Sequence, residues 1–411
     1  MRLRAYDPHT DREAVTRIWQ EIGWIGKEKR EEEALHIFIG CSRAQVAEVN
    51  GHAECLVLST PATIRYLDQD LSLSAVTSVT TSRIARKQGL ARRLTALTVA
   101  ADAAEGAMVS GLGMFEQGYY NQLGFGTGGY EHRIAFDPAQ IRVQVQARVP
   151  RRITREDWAG VHAARLARMR GHGSCNLWAP DTTRAEMLWS QNGFGLGYYD
   201  GPGGTLTHHL WFRTKDLESG PYYVEWLSYQ TYDQFLELMA LIRNLGDQVR
   251  LVRIREPKDI QMQDMIKQPF KQRQVSEKSS FESRMRASAY WQMRICDLPG
   301  CLAATHLRGA EVRFNLALSD PIERSLPENA LWRGIAGGYV VTLGPSSSAR
   351  PGTEPSLPTV TASTGALTRM WLGVRPATGL AVTDRLSGPP GLLKELDWAL
   401  RLPDPKPDWD F

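Results

Sequence analysis

Residues 76–91, VTSVTTSRIARKQGLA, predict a strand that runs into a basic glycine loop and then into a helix. The apolar residues of that helix fall on one face: Leu90, Leu94, Leu97 and Ala101. The first turn of a helix has backbone N–H groups without intrahelical partners and carries partial positive charge. Gly89 removes a side chain that would block a diphosphate, and Arg86 and Lys87 add charge-assisted contacts. The order of strand, loop and helix therefore predicts an anion site.

Two widespread phosphate-binding loops do not fit these residues. No Gly-Lys-Ser/Thr follows at the spacing of a Walker A loop, and the dinucleotide fingerprint needs three glycines. A basic turn of this kind also fits the ordinary start of a helix whose basic residues are exposed. The strand at residues 76–81, and its spacing from Gly89, favour the anion site over that alternative.

The residues on either side of the loop alternate between helix and strand patterns. Helices are predicted over residues 11–19 and across the charged run 27–33, and strands over 45–49, 53–58, 71–81 and 107–115. Asn50-Gly51 separates two of these strands and is a strong hairpin signal. A second block begins near residue 150. It has the order strand (222–229), helix (233–244) and strand (249–254), without a glycine-rich phosphate loop.

The last part of the chain differs in composition and in its residue pattern. Residues 271–286 are polar and are interpreted as an interdomain linker, and residues 312–318 alternate as a strand does. A Pro/Ser/Gly loop is predicted over 345–358 and a helix over 392–400. Residues 403–407 are proline-rich and predict an extended tail. Because Trp409 and Phe411 favour burial, we expect this tail to lie on a surface rather than to fray.

Length and composition limit the class of protein. A chain of 411 residues exceeds one hydrophobic core, so two or three domains are expected. The net charge of +4 is small and gives no reason to expect a nucleic-acid or membrane partner. The five cysteines lack a zinc spacing, so they are interpreted as reduced thiols and no metal is expected. The N-terminus has no apolar signal region, and a cytoplasmic protein is expected.

The strand and loop resemble motif A of the GNAT superfamily, whose signature is Gln/Arg-x-x-Gly-x-Gly/Ala. In that fold the strand pairs with the pantetheine arm of acetyl-coenzyme A, and the loop amides hold its pyrophosphate. The resemblance implies that Val79, Thr80 and Thr81 face pantetheine. It implies that the diphosphate contacts Lys87, Gln88, Gly89, Leu90, Ala91 and Arg92.

A second stretch, residues 116–126, is similar to the Glu-x-x-x-Tyr-x-x-Phe-Gly-Tyr-Gly motif of the Eis-like ("enhanced intracellular survival") acetyltransferases. Leu123 and Phe125 replace two of its aromatic residues, and Phe115 and Glu116 are assigned to the cofactor contacts. The resemblance extends over the chain and implies an α+β protein of three domains. These are a GNAT domain at 1–142, a GNAT-like domain without a cofactor loop at 143–284, and a sterol-carrier-protein-like domain at 285–411. Residues 291–299 resemble the strand that opens the third domain.

The same resemblance assigns the catalytic roles. Tyr120 is implied as general acid and the α-carboxylate of Phe411 as general base. The alternatives without a catalytic role are a tyrosine of the core and a frayed C-terminus. A free α-carboxyl is too acidic to deprotonate an ammonium unaided, so it is expected to act through water or during attack. Asp408, Asp410 and Glu116 are interpreted either as an acidic pocket mouth or as solvated acids. The remaining candidates are interpreted as surface or satisfied histidines: His132, His208 and His209.

The predicted function is therefore direct N-acetyl transfer from acetyl-coenzyme A to a primary amine. Aminoglycosides, polyamines and lysine side chains are the acceptor classes that the resemblance suggests, and family members form homo-oligomers, commonly hexamers. The alternative from another class is a noncatalytic carrier or regulator that binds an apolar ligand in the third domain.

Overall fold

Residues 2–410 are described by a computed structural model; the predicted role of Phe411 lies outside the described residues. The described residues form twenty strands and eleven α-helices. The strands are β1 Arg2–Ala5, β2 Arg43–Val49, β3 His52–Tyr66, β4 Gln69–Thr81, β5 Val109–Gly113, β6 Gly126–Thr127, β7 Glu131–Phe136, β8 Arg151–Ile153, β9 Cys175–Leu177, β10 Phe194–Tyr198, β11 His208–Thr214, β12 Tyr222–Ser228, β13 Val252–Arg255, β14 Arg284–Ser288, β15 Trp291–Ile295, β16 Val312–Ser319, β17 Gly337–Leu343, β18 Ser348–Pro351, β19 Thr359–Ser363 and β20 Leu386–Ser387. The helices are α1 Arg12–Glu21, α2 Lys29–Gly40, α3 Leu90–Ala104, α4 Trp158–Ala167, α5 Pro180–Trp189, α6 Tyr232–Asn244, α7 Pro269–Ser276, α8 Leu298–Ala303, α9 Thr364–Trp371, α10 Ala377–Thr383 and α11 Pro390–Ala399.

The first sheet has the strand order β1-β2-β3-β4-β5-β15-β6, with β9 paired to β3. Asn50 and Gly51 both have positive φ, 53° and 83°, which is the backbone of a type I′ hairpin turn between β2 and β3. The predicted hairpin is therefore confirmed, as are the strand and the helix that flank the basic loop.

β15 completes the first sheet from far along the chain. Met293 pairs with Gly111 of β5 on one side and with Gly126 of β6 on the other. The residues interpreted as the first strand of the third domain thus belong to the sheet of the first. β7, which precedes residue 142, lies in the second sheet beside β14. The sheets exchange strands across the predicted domain boundaries, which stay predictions.

The second sheet has the order β14-β7-β13-β12-β11-β10-β8, and α6 connects the parallel pair β12 and β13. One face is buried in a core that includes Ile134, Phe136, Leu238 and Ile254. The interpretation of residues 271–286 as a linker was wrong, because the segment contains most of α7 and the start of β14. β14 is formed by backbone pairing along β7, which a polar sequence with little apolar pattern does not reveal.

The third sheet has the order β18-β17-β16-β19-β20. The strand β18 lies inside the stretch predicted as a loop, so that prediction was wrong in part. The first and third sheets share one hydrophobic core, in which Tyr66 stacks on Trp371 with ring centroids 4.4 Å apart. The hydroxyl of Tyr66 donates to the carbonyl of Trp371 at 3.0 Å. This contact fixes the end of α9, the helix that follows β19 of the third sheet, against the first sheet.

The tail after α11 packs against the segment between α4 and β9. The backbone N–H of Lys406 donates to the carbonyl of His172 at 3.0 Å, and Pro405 and Pro407 are buried. Trp409 is only 2% exposed, which confirms the expectation that it packs on the protein surface. Among residues 2–410, no helix is long and apolar enough to cross a membrane.

Candidate active site

The site begins where β4 and β5 part. These parallel strands are paired from Leu73–Val109 to Val76–Leu112, and β4 then continues to Thr81 along β3. Ser78 has a φ of 55° at the point where the register with β3 shifts, which marks a bulge. The separation leaves a cavity of about 1180 Å³. The edge of β4 that faces this cavity offers backbone groups for a ligand.

The basic loop lies at one end of this cavity. Gly89 precedes the first residue of α3 with a φ of 72°, and Lys87 has a φ of 61°. No atom lies within 4 Å of the position that a Cβ on Gly89 would occupy, so the space beside it is open. The helix has no side-chain cap at this end. Its first amides are therefore available to an anion, as a pyrophosphate site requires.

The predicted cofactor residues and Tyr120 all line the same cavity: Val79, Thr80, Thr81, Lys87, Gln88, Gly89, Leu90, Ala91, Arg92, Phe115, Glu116 and Tyr120. The structure thus brings together three stretches that are separate in sequence. Sequence reasoning missed Ile22 and Trp24, which add a wall from the segment after α1. The only local signal in the sequence was a tryptophan between Gly23 and Gly26, which the structure shows to be exposed.

Tyr120 opens a short 3-10 turn and is 2% exposed. Its ring meets the rings of Tyr119 and Phe115 edge-on, with centroids 4.9 and 5.9 Å away. Burial raises the pKa of Tyr120 well above its ordinary range, and Tyr119 and Cys55 raise it further. The phenol is therefore protonated at neutral pH and can donate a proton or a hydrogen bond into the cavity. Tyr120 is both a buried aromatic residue and a wall of the site.

Arg294 of β15 holds this turn in place. Its guanidinium donates to the carbonyl of Leu123, the last residue of the turn, and forms a 2.6 Å ion pair with Asp320. Both side chains of the pair are fully buried. Asp320 also accepts from the backbone N–H of Ile335 at 3.0 Å. A buried charge pair with this many hydrogen bonds fixes the position of the Tyr120 turn against the third sheet.

The acidic tail residues are paired with arginines. Asp408 accepts from Arg168 at 2.7 and 2.9 Å, and Asp410 accepts from both Arg255 and Tyr290. Burial raises the pKa of Asp410, but the charge of Arg255 and the two hydrogen bonds outweigh it, so the pKa is lowered. Asp408 and Asp410 are thus paired with arginines, although Asp410 stays largely exposed, and a role of these acids and of Glu116 at a pocket mouth stays a prediction.

The remaining sequence candidates have structural partners. His208 contacts Glu237 at 3.1 Å, His209 accepts from the indole N–H of Trp226 at 3.2 Å, and His132 lies 3.4 Å from Glu256. The interpretation as satisfied or surface histidines agrees with the contacts of His132 and His208, whereas Nδ1 of buried His209 has no hydrogen-bond partner among the described residues. The five cysteines are free thiols. Within residues 2–410, no group of three or more His, Cys, Asp or Glu side chains is placed to hold a metal ion.

Solved structures match this architecture along its whole length. A conserved protein of unknown function from Enterococcus faecalis V583 superposes with a TM-score of 0.78 at 14% identity, covering 100% of this chain and 99% of that one. A GCN5-related N-acetyltransferase from Kribbella flavida gives 0.74 at 17% identity, with 100% and 98% coverage. Eis1 from Mycobacterium abscessus gives 0.74 at 15% identity and full coverage of both chains.

The chain has the GCN5-related N-acetyltransferase fold. No protein-family model matches it, and no curated protein is significantly similar to it. In the acetyltransferase fold described here, the parted strands and the helix start form one cavity with Tyr120. The predicted mixed α and β architecture is confirmed by three sheets and eleven helices within residues 2–410. The sterol-carrier-like character of the third sheet stays a prediction.

Proposed function

We propose that this chain is an acetyl-coenzyme A-dependent N-acetyltransferase that acts on a primary amine. The observation that carries the proposal is a single cavity lined by both the Gly89 loop and Tyr120. The loop suits a diphosphate, and the phenol suits the end of the ligand where a thiolate leaves. A volume of about 1180 Å³ accommodates an elongated cofactor.

The cofactor residues divide by chemistry. The bulged edge of β4, residues 79–81, provides backbone hydrogen-bonding groups for the amides of pantetheine. The amides at residues 89–92 and the side chain of Lys87 provide positive charge for the pyrophosphate. When bound, acetyl-coenzyme A supplies an activated acetyl group as a thioester. Placement of that group beside an amine removes much of the entropic barrier.

The transfer itself forms a C–N bond and breaks a C–S bond. In the proposed mechanism Tyr120 gives a proton, or a strong hydrogen bond, to the departing sulfur. The proton of the amine passes to the α-carboxylate of Phe411, directly or through water. Because burial raises the pKa of Tyr120, the phenol stays protonated but is a weaker acid than a free tyrosine, which favours a hydrogen bond to the sulfur over full proton transfer. The anchored tail supports a role for the C-terminus, since Trp409 and Asp408 are fixed by Arg165 and Arg168.

The carrier alternative finds little support in the third unit. The face of its sheet is filled by side chains of the shared core, among them Phe314, Leu316, Met370 and Leu396. Homo-oligomeric assembly stays a prediction, which sedimentation of the purified chain tests.

Two measurements on the full chain test the function. Calorimetry measures acetyl-coenzyme A binding, and a thiol-release assay measures turnover with a panel of primary amines. We expect binding in the absence of amine and release only in its presence. Deletion of Phe411 alone is expected to keep binding and to lose turnover. Absence of acetyl-coenzyme A binding by the wild-type chain would refute the proposed function.

A further inference from the structure

The open face of the second sheet is strongly basic. Beside the tail lies a cavity of about 260 Å³, which is lined by six arginines and two carboxylates. The arginines are Arg133, Arg213, Arg253, Arg255, Arg284 and Arg286, and the carboxylates belong to Glu225 and Asp410. We call these six side chains the arginine face. The excess of positive charge is local, because the whole chain carries only +4.

The strand register places three of these arginines in a row. Arg286 of β14 lies directly opposite Arg133 of β7, and Arg133 lies directly opposite Arg255 of β13. Like charges directly opposite each other on neighbouring strands destabilise a sheet. Neighbouring residues on the other face of the same strands, such as Ile134 and Ile254, fill the core. Repulsion within the row therefore lowers the stability of the fold, and a bound anion would reduce that repulsion.

Within residues 2–410, carboxylates neutralise only part of the arginine face. Arg213 pairs with Glu225 at 2.6 Å, and Arg255 pairs with Asp410 and with Glu131. Three other arginines of the arginine face have no carboxylate oxygen of the described residues within 4.0 Å. They are Arg133, Arg253 and Arg286.

Arg253 shows the deficit most directly. One of its terminal nitrogens donates to the hydroxyl of Tyr223 at 2.6 Å. Its Nε is buried without a hydrogen-bond partner among the described residues. An unpaired buried donor on a charged group is costly, and an acceptor on a ligand relieves that cost.

Tyr290 connects the arginine face to the proposed acetyl-coenzyme A cavity. Its carbonyl accepts from the backbone N–H of Met114 at 2.7 Å, and Met114 lines that cavity. Its ring lies under the guanidinium groups of Arg133 and Arg255, at 5.3 and 5.8 Å. Its hydroxyl donates to Asp410. Tyr290 thus contacts the arginine face with its side chain and a lining residue of the acetyl-coenzyme A cavity with its backbone.

We propose that the arginine face binds an acidic group of the acceptor, so that the acceptor is a small primary amine that carries a phosphate, sulfate or carboxylate. The inference rests on the proposed acetyl transfer and names its substrate class. Guanidinium groups bind such anions through paired, charge-assisted hydrogen bonds. A polycationic aminoglycoside or polyamine meets electrostatic repulsion at the same face. The volume of about 260 Å³ suits a small acceptor.

Matched amines test the substrate class in the thiol-release assay. 2-Aminoethanol is compared with its phosphate monoester and its sulfate monoester, propylamine with 3-aminopropanoate, and 1,3-diaminopropane serves as the cationic acceptor. We expect kcat/KM to rise at least tenfold when the acid group is added, and the esters and the carboxylate show which anion is preferred. Equal or faster transfer to the neutral and cationic amines overturns the inference, as does turnover confined to acidic peptides.

A binding experiment separates this inference from the proposed function. Calorimetry measures the affinities of two ligands, the phosphate monoester of 2-aminoethanol and acetyl-coenzyme A. The proteins compared are the wild type, Arg286→Gln and the matched control Arg308→Gln. Arg308 is an exposed arginine in the loop before β16. Loss of one charged hydrogen-bond partner is expected to weaken the phosphate ester about tenfold in R286Q and not in R308Q. Acetyl-coenzyme A should bind all three alike. Equal phosphate-ester affinity in wild type and R286Q overturns the inference.

Two further readouts complete that design. Because R286Q removes like-charge repulsion, its melting temperature in low salt should lie at or above that of the wild type, which shows that it folds. A wild-type chain that binds the phosphate ester but not acetyl-coenzyme A refutes the proposed function and leaves the arginine face as an anion site.

Discussion

The guanidinium carbon of Arg165 lies 3.7 Å from the centroid of the Trp409 ring, which is a close cation–π contact between α4 and the tail. The indole N–H of Trp409 donates to Glu186 at 3.1 Å, and Glu186 is itself paired with Arg165. Together these contacts hold Trp409 of the tail against α4 and α5. The tail is therefore part of the folded structure rather than an appendage.

Trp409→Ala should release the tail. Removal of a buried tryptophan is expected to cost about 3–5 kcal/mol of unfolding free energy. Thiol release should fall to background while acetyl-coenzyme A affinity changes little, since Trp409 does not line that cavity. Chemical denaturation and calorimetry measure the two effects. Trp398→Ala, at a position that is 74% exposed, is the control and should leave both unchanged. Full turnover by W409A would show that the tail has no part in catalysis.

Tyr120→Phe should separate chemistry from binding. Loss of one general acid is expected to lower kcat about 10²- to 10⁴-fold. The acetyl-coenzyme A Kd should stay within about twofold, because the ring and its aromatic contacts remain. Tyr119→Phe removes the neighbouring hydroxyl and is the control. If Y120F turns over at the wild-type rate, the phenol is not the acid.

Gly89→Ala should weaken the cofactor site through the backbone. A φ of 72° is strained for any residue with a Cβ, at a cost of about 1–2 kcal/mol. The methyl group also enters the space beside the first amides of α3. We expect acetyl-coenzyme A to bind at least tenfold more weakly. Gly106→Ala tests the same kind of change just beyond the other end of α3, where φ is 100° and the space is also open. G106A should lose stability and keep its affinity; equal affinities in the two variants would exclude the loop as the diphosphate site.

Burial lowers the pKa of His209 to about 3, and the charges of Arg165 and His208 lower it further. The unfolded chain binds a proton at this residue below its ordinary value of 6.5, whereas the folded protein does not. Between pH 6.5 and about 3 the unfolded state therefore binds more protons, and stability falls as the pH falls.

His209→Gln should reduce this loss, because a glutamine keeps an acceptor for Trp226 without titrating. The difference in slope is expected to be about half of 1.4 kcal/mol per pH unit at the unfolded pKa and to approach about 1.4 kcal/mol per pH unit roughly one unit below it. Urea unfolding at pH 7.5, 6.5 and 5.5 measures it. His9→Gln, on an exposed turn, is the control and should follow the wild type. Parallel pH dependences of H209Q and wild type would contradict the prediction.

Local chemistry made part of this structure predictable. Asn50-Gly51 encodes its own turn, and the strand, the Gly89 loop and the amphipathic helix follow one another directly in sequence. Each depends on neighbours within a few residues. The resemblance to known acetyltransferase motifs added Tyr120, and the structure places it in the same cavity.

The rest depends on contacts between distant residues. Neither the pairing of Met293 with Gly111 nor the ion pair of Asp408 with Arg168 leaves a local signal. The arginine row is another example, because the register alone brings its members together and each looks like an ordinary exposed arginine in sequence.

The position of β15 also constrains how the protein is made. A ribosome produces β5 and β6 long before β15, and all seven strands of the second sheet are synthesised in between. Until β15 arrives, the edge of β5 is open to pairing with another nascent chain. The amino-terminal unit therefore completes its fold only after most of the protein has emerged, and early termination after β6 leaves an aggregation-prone fragment.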